Sequence, residues 1–86
     1  MNIWQFQMLV SMKNVKWKEK GFNVSLKETG VVEIEGDFDE VVISKIKEQL
    51  RKDKYLMFQQ NGFQRIEIHD AESFSYVLDI LSEVNN

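Results

Sequence analysis

The sequence predicts one small α+β domain spanning residues 1–86, with an antiparallel sheet of four to five strands and two helices on one face. Three observations lead to this fold class. Asn61-Gly62 separates two runs of strand-forming residues, which is the strongest short hairpin signal. Residues 37–54 and 70–84 repeat apolar side chains at helical spacing. Before residue 36, apolar and polar residues alternate as in strands. The predicted element order is β-β-β-α-β-β-α.

The first segment alternates like a strand, because all five even positions from 4 to 12 are apolar and four of the five odd positions from 5 to 13 are polar. A helix over residues 2–13, with Trp4, Met8, Met12 and the following Val15 on one face, is the alternative. The element order would then be α-β-β-β-α-β-β-α.

The next strands are expected to form a hairpin around a three-residue loop, Glu28-Thr29-Gly30. This register places Leu26 opposite Val32 and keeps one face of the hairpin apolar. Gly30 then occupies the position where a type I turn with a bulge requires a left-handed residue.

Each helix has an aspartate at its predicted start. Asp37 is expected to cap the first helix, with Glu40 three residues later in a capping-box pattern. Phe38, Val42, Ile46 and Leu50 follow at intervals of four. Asp70 is expected to cap the second helix, whose inner stripe consists of Phe74, Val77, Leu78 and Leu81.

The composition argues against several classes of function. The chain has no cysteine and one histidine, His69, and its net charge is −3. Zinc and disulfide chemistry are therefore not expected. The acidic run that begins at Glu33 does not fit a calcium loop, because Phe38 and Ser44 stand where Gly and Glu are required. We expect no enzyme activity, no metal and no cofactor.

The start of the chain lacks the layout of a signal peptide, and no apolar run reaches the roughly 18 residues of a membrane span. We therefore expect a cytoplasmic protein that does not bind membranes.

The predicted strand begins with four consecutive apolar residues, Tyr55, Leu56, Met57 and Phe58. Because successive side chains of a strand point to opposite faces, two of the four must point away from the core. A two-residue turn at Asn61-Gly62 pairs Met57 with Ile66 and leaves Leu56, Phe58, Phe63 and Arg65 outside. A three-residue loop from Gln60 instead places Tyr55, Met57 and Phe63 outside. In both registers apolar side chains occupy both faces of the hairpin.

Two explanations of this outer cluster remain open. The segment around residues 13–21, with Trp17, folds over it, or the cluster is a contact surface of aromatic side chains with a polar rim. On the second explanation, the candidate protein-interaction residues are Leu56, Phe58, Phe63 and Arg65.

The function favoured by these features is that of a non-catalytic acidic module that binds another protein or a second copy of itself, as an inhibitor, immunity-type factor or chaperone. The alternative is a nucleic-acid-binding protein that uses the basic segment, which contains Lys13, Lys16, Trp17, Lys18 and Lys20. Its single tryptophan and the negative net charge count against nucleic acid.

No motif identifies a family. With a helical first segment, the element order would resemble that of type III secretion chaperones, which are small, acidic and dimeric. This resemblance concerns element order alone and assigns a role to no residue.

Overall fold

The computed structural model describes residues 1–60 and 63–83. The elements in chain order are α1 (Ile3–Lys13), β1 (Asn23–Leu26), β2 (Val32–Gly36), α2 (Glu40–Gln49), a single 3-10 turn (Lys52–Lys54), β3 (Tyr55–Gln60), β4 (Phe63–Ile68) and α3 (Ala71–Glu83). The predicted α+β class is confirmed. None of the helices in the described ranges is both long and apolar enough to cross a membrane.

The four strands form one antiparallel sheet in the order β1-β2-β4-β3. The hairpins β1–β2 and β3–β4 are local, whereas β2 and β4 pair across the chain segment that contains α2. β1 and β3 are the edge strands. Sheet order therefore places β4 in the centre and leaves one side of β3 without a neighbouring strand among the described residues.

The first hairpin has the predicted register, and the second has one of the two registers that the sequence left open. Leu26 pairs with Val32 as predicted, and Gly30 has the left-handed φ of 87° that its loop requires. In the second hairpin Met57 pairs with Ile66, which is the register expected for a two-residue turn. The predicted turn residues, 61 and 62, lie outside the described residues.

The first segment is a helix, so the predicted strand is wrong and the helical alternative is right. A capping box starts α1: the Asn2 side chain accepts a hydrogen bond from the Gln5 amide at 2.9 Å, and the Gln5 side chain accepts one from the Asn2 amide at 3.1 Å. Residues 14–22 contain turns and no strand. The order is α-β-β-α-β-β-α, with three helices instead of two and one strand fewer than either predicted order.

The core lies between one face of the sheet and the helices. The central strands contribute Val32, Ile34, Ile66 and Ile68, all completely buried, and the helices add Val42, Ile46, Phe74, Val77, Leu78 and Leu81. No residue of α1 is fully buried. This helix packs on α3 through Phe6, whose ring stacks on Phe74 with 5.5 Å between centroids, and through half-buried Leu9 and Val10.

The cap of α2 is Asp39, and the prediction of Asp37 is wrong. Asp39 Oδ1 accepts a hydrogen bond from the Val42 amide at 2.9 Å. Phe38 precedes the helix instead of belonging to it, because its ring is buried in the core and its amide donates to Gln64 Oε1. The Asp70 cap of α3 is confirmed, since Asp70 Oδ1 accepts from the Ser73 amide at 3.1 Å.

Candidate interaction site

The sheet face that points away from the core carries side chains from all four strands. Strand alternation places them opposite the buried set: Asn23, Ser25, Glu33, Glu35, Leu56, Phe58, Phe63, Arg65 and Glu67. This open face has an apolar end on β3 and β4 and an acidic centre on β2 and β4.

The apolar end is formed by Leu56, Phe58 and Phe63, which keep 48%, 37% and 41% of their surface exposed. Leu56 and Phe58 are neighbours on the same face of β3. Phe63 pairs with Gln60, two residues beyond Phe58, so the two phenylalanines are diagonal neighbours across the strands. The structure thus brings together the predicted interaction residues as a single patch.

The segment around residues 13–21 does not bury this patch. Trp17 packs against the core cluster, and Lys20 Nζ donates a 2.6 Å hydrogen bond to the carbonyl of Leu81 in α3. These contacts hold the segment against the helical layer. The explanation in which Trp17 covers the patch is therefore wrong.

Arg65 joins the apolar end of the open face to the acidic centre. Its guanidinium carbon lies 4.6 Å from the centroid of the Phe58 ring, a cation–π contact, and its Nε lies 4.0 Å from Glu67 Oε2. Arg65 Nε is buried and has no hydrogen-bond partner among the described residues. The guanidinium of Arg65 thus lies over one face of the exposed Phe58 ring.

The acidic centre consists of Glu33, Glu35 and Glu67. Glu33 pairs directly with Glu67 across the strands, and Glu35 pairs with Arg65. A hydrogen bond with Glu33, then burial and the Glu33 charge, raise the pKa of Glu35, against the opposing charges of Arg65 and Lys27. Three carboxylates therefore lie beside two cations, Arg65 and Lys27, whose Nζ is 3.8 Å from Glu33 Oε1, so the formal charge of this group is −1 and favours a basic partner.

The alternative site, the basic segment, is largely engaged within the molecule. Lys13 Nζ forms a 2.8 Å ion pair with Asp79, and Lys20 is bonded to α3 as described. Lys18 Nζ lies 5.3 Å from the Trp17 ring centroid. Lys16 is exposed. Trp17 is half-buried against the core, which leaves less of its ring available for stacking on bases.

Sequence reasoning missed a second exposed apolar surface, on α1. Trp4, Met8 and Met12 are 77%, 54% and 69% exposed and share one side of the helix. The signal was their spacing of four residues. The helical alternative placed them on one face of the helix but did not decide whether that face was buried or exposed.

The other candidates remain chemically unremarkable. His69 is exposed, and its backbone amide donates to the Lys54 carbonyl. Within residues 1–60 and 63–83, no three His, Cys, Asp or Glu side chains converge in a way that could hold a metal ion.

In comparisons with known proteins, no family model, no curated protein and no solved structure matches this chain. The open sheet face and the α1 surface are therefore interpreted from their own chemistry.

Proposed function

We propose that the protein is a non-catalytic module that binds another protein through the open face of its sheet. The observation that supports this most directly is the exposed cluster of Leu56, Phe58 and Phe63 beside Arg65 and the acidic centre. Aromatic and arginine side chains are the residues that most often dominate binding energy at protein interfaces. Solvent-exposed apolar clusters with a polar rim are typical of such surfaces.

The chemistry of the face defines the partner. Its apolar end suits a large apolar side chain that packs against Leu56, Phe58 and Phe63. The carboxylates of Glu33, Glu35 and Glu67 favour Lys or Arg on the partner, since complementary charge steers association and fixes orientation. The partner is therefore a protein with an apolar anchor next to basic residues.

The edge strand β3 extends this surface. Its six residues include no charged residue and no proline, two features that commonly protect edge strands from pairing. On the core side of β3, Tyr55 and Met57 are only half-buried and line a groove with Ile43 and Lys47. A partner that covers the outer face is thus expected to reach the edge as well.

Occupying a surface of a partner in this way is how an inhibitor, an immunity-type factor or a chaperone acts, and the proposal covers these three roles. Nucleic-acid binding is not favoured, because the contacts of Lys13, Trp17 and Lys20 within the molecule compete with it.

The proposal is tested by affinity capture from cells that produce the protein. Three baits are compared: the wild type, a Phe58→Ser/Phe63→Ser double variant, and a Val41→Ser control that changes an exposed apolar residue of α2. We expect a protein that the wild type and the control retain and the double variant loses. That protein is then purified and titrated, and its Kd is expected to rise at least about tenfold with the double variant.

Circular dichroism and thermal melting of each bait serve as the folding controls. If all three baits retain the same proteins, or if the double variant unfolds, the open face is not the binding surface and the proposal fails.

A further inference from the structure

The outward side of α1 carries no charge and consists of four apolar and three polar side chains. Seven side chains of the helix are exposed, and none is ionisable: Ile3, Trp4, Gln5, Gln7, Met8, Ser11 and Met12. The inward side is apolar, through Phe6, Leu9 and Val10. Trp4, Met8 and Met12 thus remain exposed on the side of α1 that faces away from the core, and large apolar side chains grouped in this way often mark a contact surface.

We propose that the α1 stripe, defined as Trp4, Met8 and Met12, is a self-association contact at which the α1 helices of two copies pack antiparallel across a two-fold axis. This surface is separate from the open sheet face, and the inference does not depend on the proposed function.

The spacing of the stripe makes it self-complementary. Trp4 and Met12 lie four residues on either side of Met8. An antiparallel pair centred on Met8 therefore places each Trp4 against Met12 of the second copy and the two Met8 side chains against each other. Thioether–aromatic contacts of this kind are favourable, and antiparallel helix dipoles attract.

Charge favours a second copy on the stripe over a dimer through the open sheet face, and over an anionic membrane on the stripe. A two-fold contact brings identical side chains together, which is unfavourable on the open sheet face because of its three glutamates. The stripe has no such conflict: Lys13 is the one charged residue of α1, and it is paired with Asp79. Helices that lie on anionic membranes carry Lys or Arg on their polar face, and the exposed side of α1 has none.

The surface continues beyond α1. Gln5, Met8 and Leu9 line a groove with Ser75 and Tyr76 of α3, and Tyr76 is itself an exposed aromatic residue. The contact is nevertheless small, since an 11-residue helix is about 16 Å long. Because the contact is short, we expect a reversible dimer with a Kd in the micromolar range, as for small transient interfaces.

Sedimentation equilibrium of the whole chain, from about 1 μM to about 1 mM, measures this Kd. Met8→Lys places two like charges at the proposed axis and is expected to raise the Kd at least about tenfold. Val41→Lys, an equivalent change on α2, is the matched control and should leave the Kd unchanged. Met8 is exposed, so its variant should retain the wild-type circular dichroism and melting temperature.

The absence of cysteine allows an independent test. Under mild oxidation, Met8→Cys should form a disulfide-linked dimer across the axis much faster than Val41→Cys at the same concentration. A chain that stays monomeric to about 1 mM, a dimer Kd that Met8→Lys does not change, or equal crosslinking of the two cysteine variants would each overturn the proposal. Binding of a monomeric wild type to phosphatidylserine vesicles, lost in Met8→Glu, would also overturn it and assign the stripe to lipid.

Discussion

At the scale of single residues, the start of α2 depends on one carboxylate. Asp39 Oδ1 accepts the Val42 amide, which otherwise has no partner within the helix. We expect Asp39→Ala to lower the free energy of unfolding by about 0.5–2 kcal/mol, measured by urea denaturation.

Asp37→Ala is the matched control, because Asp37 is exposed and lies outside the helix. Its cost should stay within about 0.5 kcal/mol, as for most surface substitutions. Equal losses for the two variants would contradict the assignment of the cap to Asp39.

Asp70 gives the stability a defined dependence on pH. Burial acts to raise the pKa of this carboxyl, but hydrogen bonds from Ser73 and the charges of Lys54 and Arg51 outweigh it and hold the pKa below the ordinary value of 3.8. Because the folded state lowers this pKa, the contribution of Asp70 is present above the ordinary pKa and is lost as the pH falls through the folded-state value.

The measurement is the free energy of unfolding of wild type and Asp70→Ala between about pH 2 and pH 7. The difference should approach the cost of a lost cap, about 0.5–2 kcal/mol, near neutrality and shrink in acid. A difference that is constant over this range would show that the charge of Asp70 contributes nothing.

Gly36 is required for space rather than for backbone freedom. A methyl group on its Cα would overlap the ring of Phe22, which is buried and stacks on Phe38 with 4.8 Å between centroids. Gly36→Ala should therefore cost about 1–3 kcal/mol by overpacking. In a Phe22→Leu background the same substitution should cost less, and equal costs in the two backgrounds would exclude the overlap as the cause.

At the scale of elements, α1 is attached less firmly than α3. No residue of α1 is fully buried, whereas α3 buries six: Ser73, Phe74, Val77, Leu78, Ile80 and Leu81. Local opening requires less free energy where fewer apolar contacts are broken. We expect α1 amides to exchange with deuterium faster than α3 amides in dilute protein, and equal protection of the two helices would contradict this.

The first segment also shows why its pattern misled. Phe6 and Val10 face the core while Trp4, Met8 and Met12 face solvent, so apolar residues on two sides of a helix fell on alternate positions and imitated a strand. The local signal for a helix was the capping box of Asn2 and Gln5. From the sequence alone, the strand-like alternation and the helical capping box cannot be weighed against each other. The packing of α1 on α3 decides in favour of the helix.

The first hairpin was predictable because a three-residue loop keeps Val24, Leu26, Val32 and Ile34 on the same side, whereas a two-residue loop mixes the faces. Parity did not decide the second hairpin, because both of its registers leave apolar side chains on each face. Leu56, Phe58, Phe63 and Arg65 were placed on the open face by the two-residue turn that Asn-Gly favours. The sequence could not distinguish Asp37 from Asp39 as the cap, because that depends on Phe38 entering the core and on the distant Gln64.

At the scale of the whole molecule, the basic segment is partly neutralised by the fold. Lys13 and Lys20 both contact α3, and the net charge of the chain is −3. We expect no complex with DNA or RNA tighter than about 10 μM at physiological salt, measured by fluorescence anisotropy. A sub-micromolar complex that weakens with salt, and with Lys16, Lys18 and Lys20 replaced by Ala, would contradict this expectation.

The pairing of β2 with β4 joins two halves of the chain into one sheet. Residues 1–50 contain α1, β1, β2 and α2, and residues 51–86 contain the second hairpin and α3. Each piece holds a complete local hairpin, but the sheet is continuous only where these two strands meet. Cut between residues 50 and 51, the chain becomes a candidate for fragment complementation: each piece alone should be largely unfolded, and mixing them should restore the fold. If the two pieces are fused to two other proteins, refolding of the pieces would indicate that those two proteins bind each other.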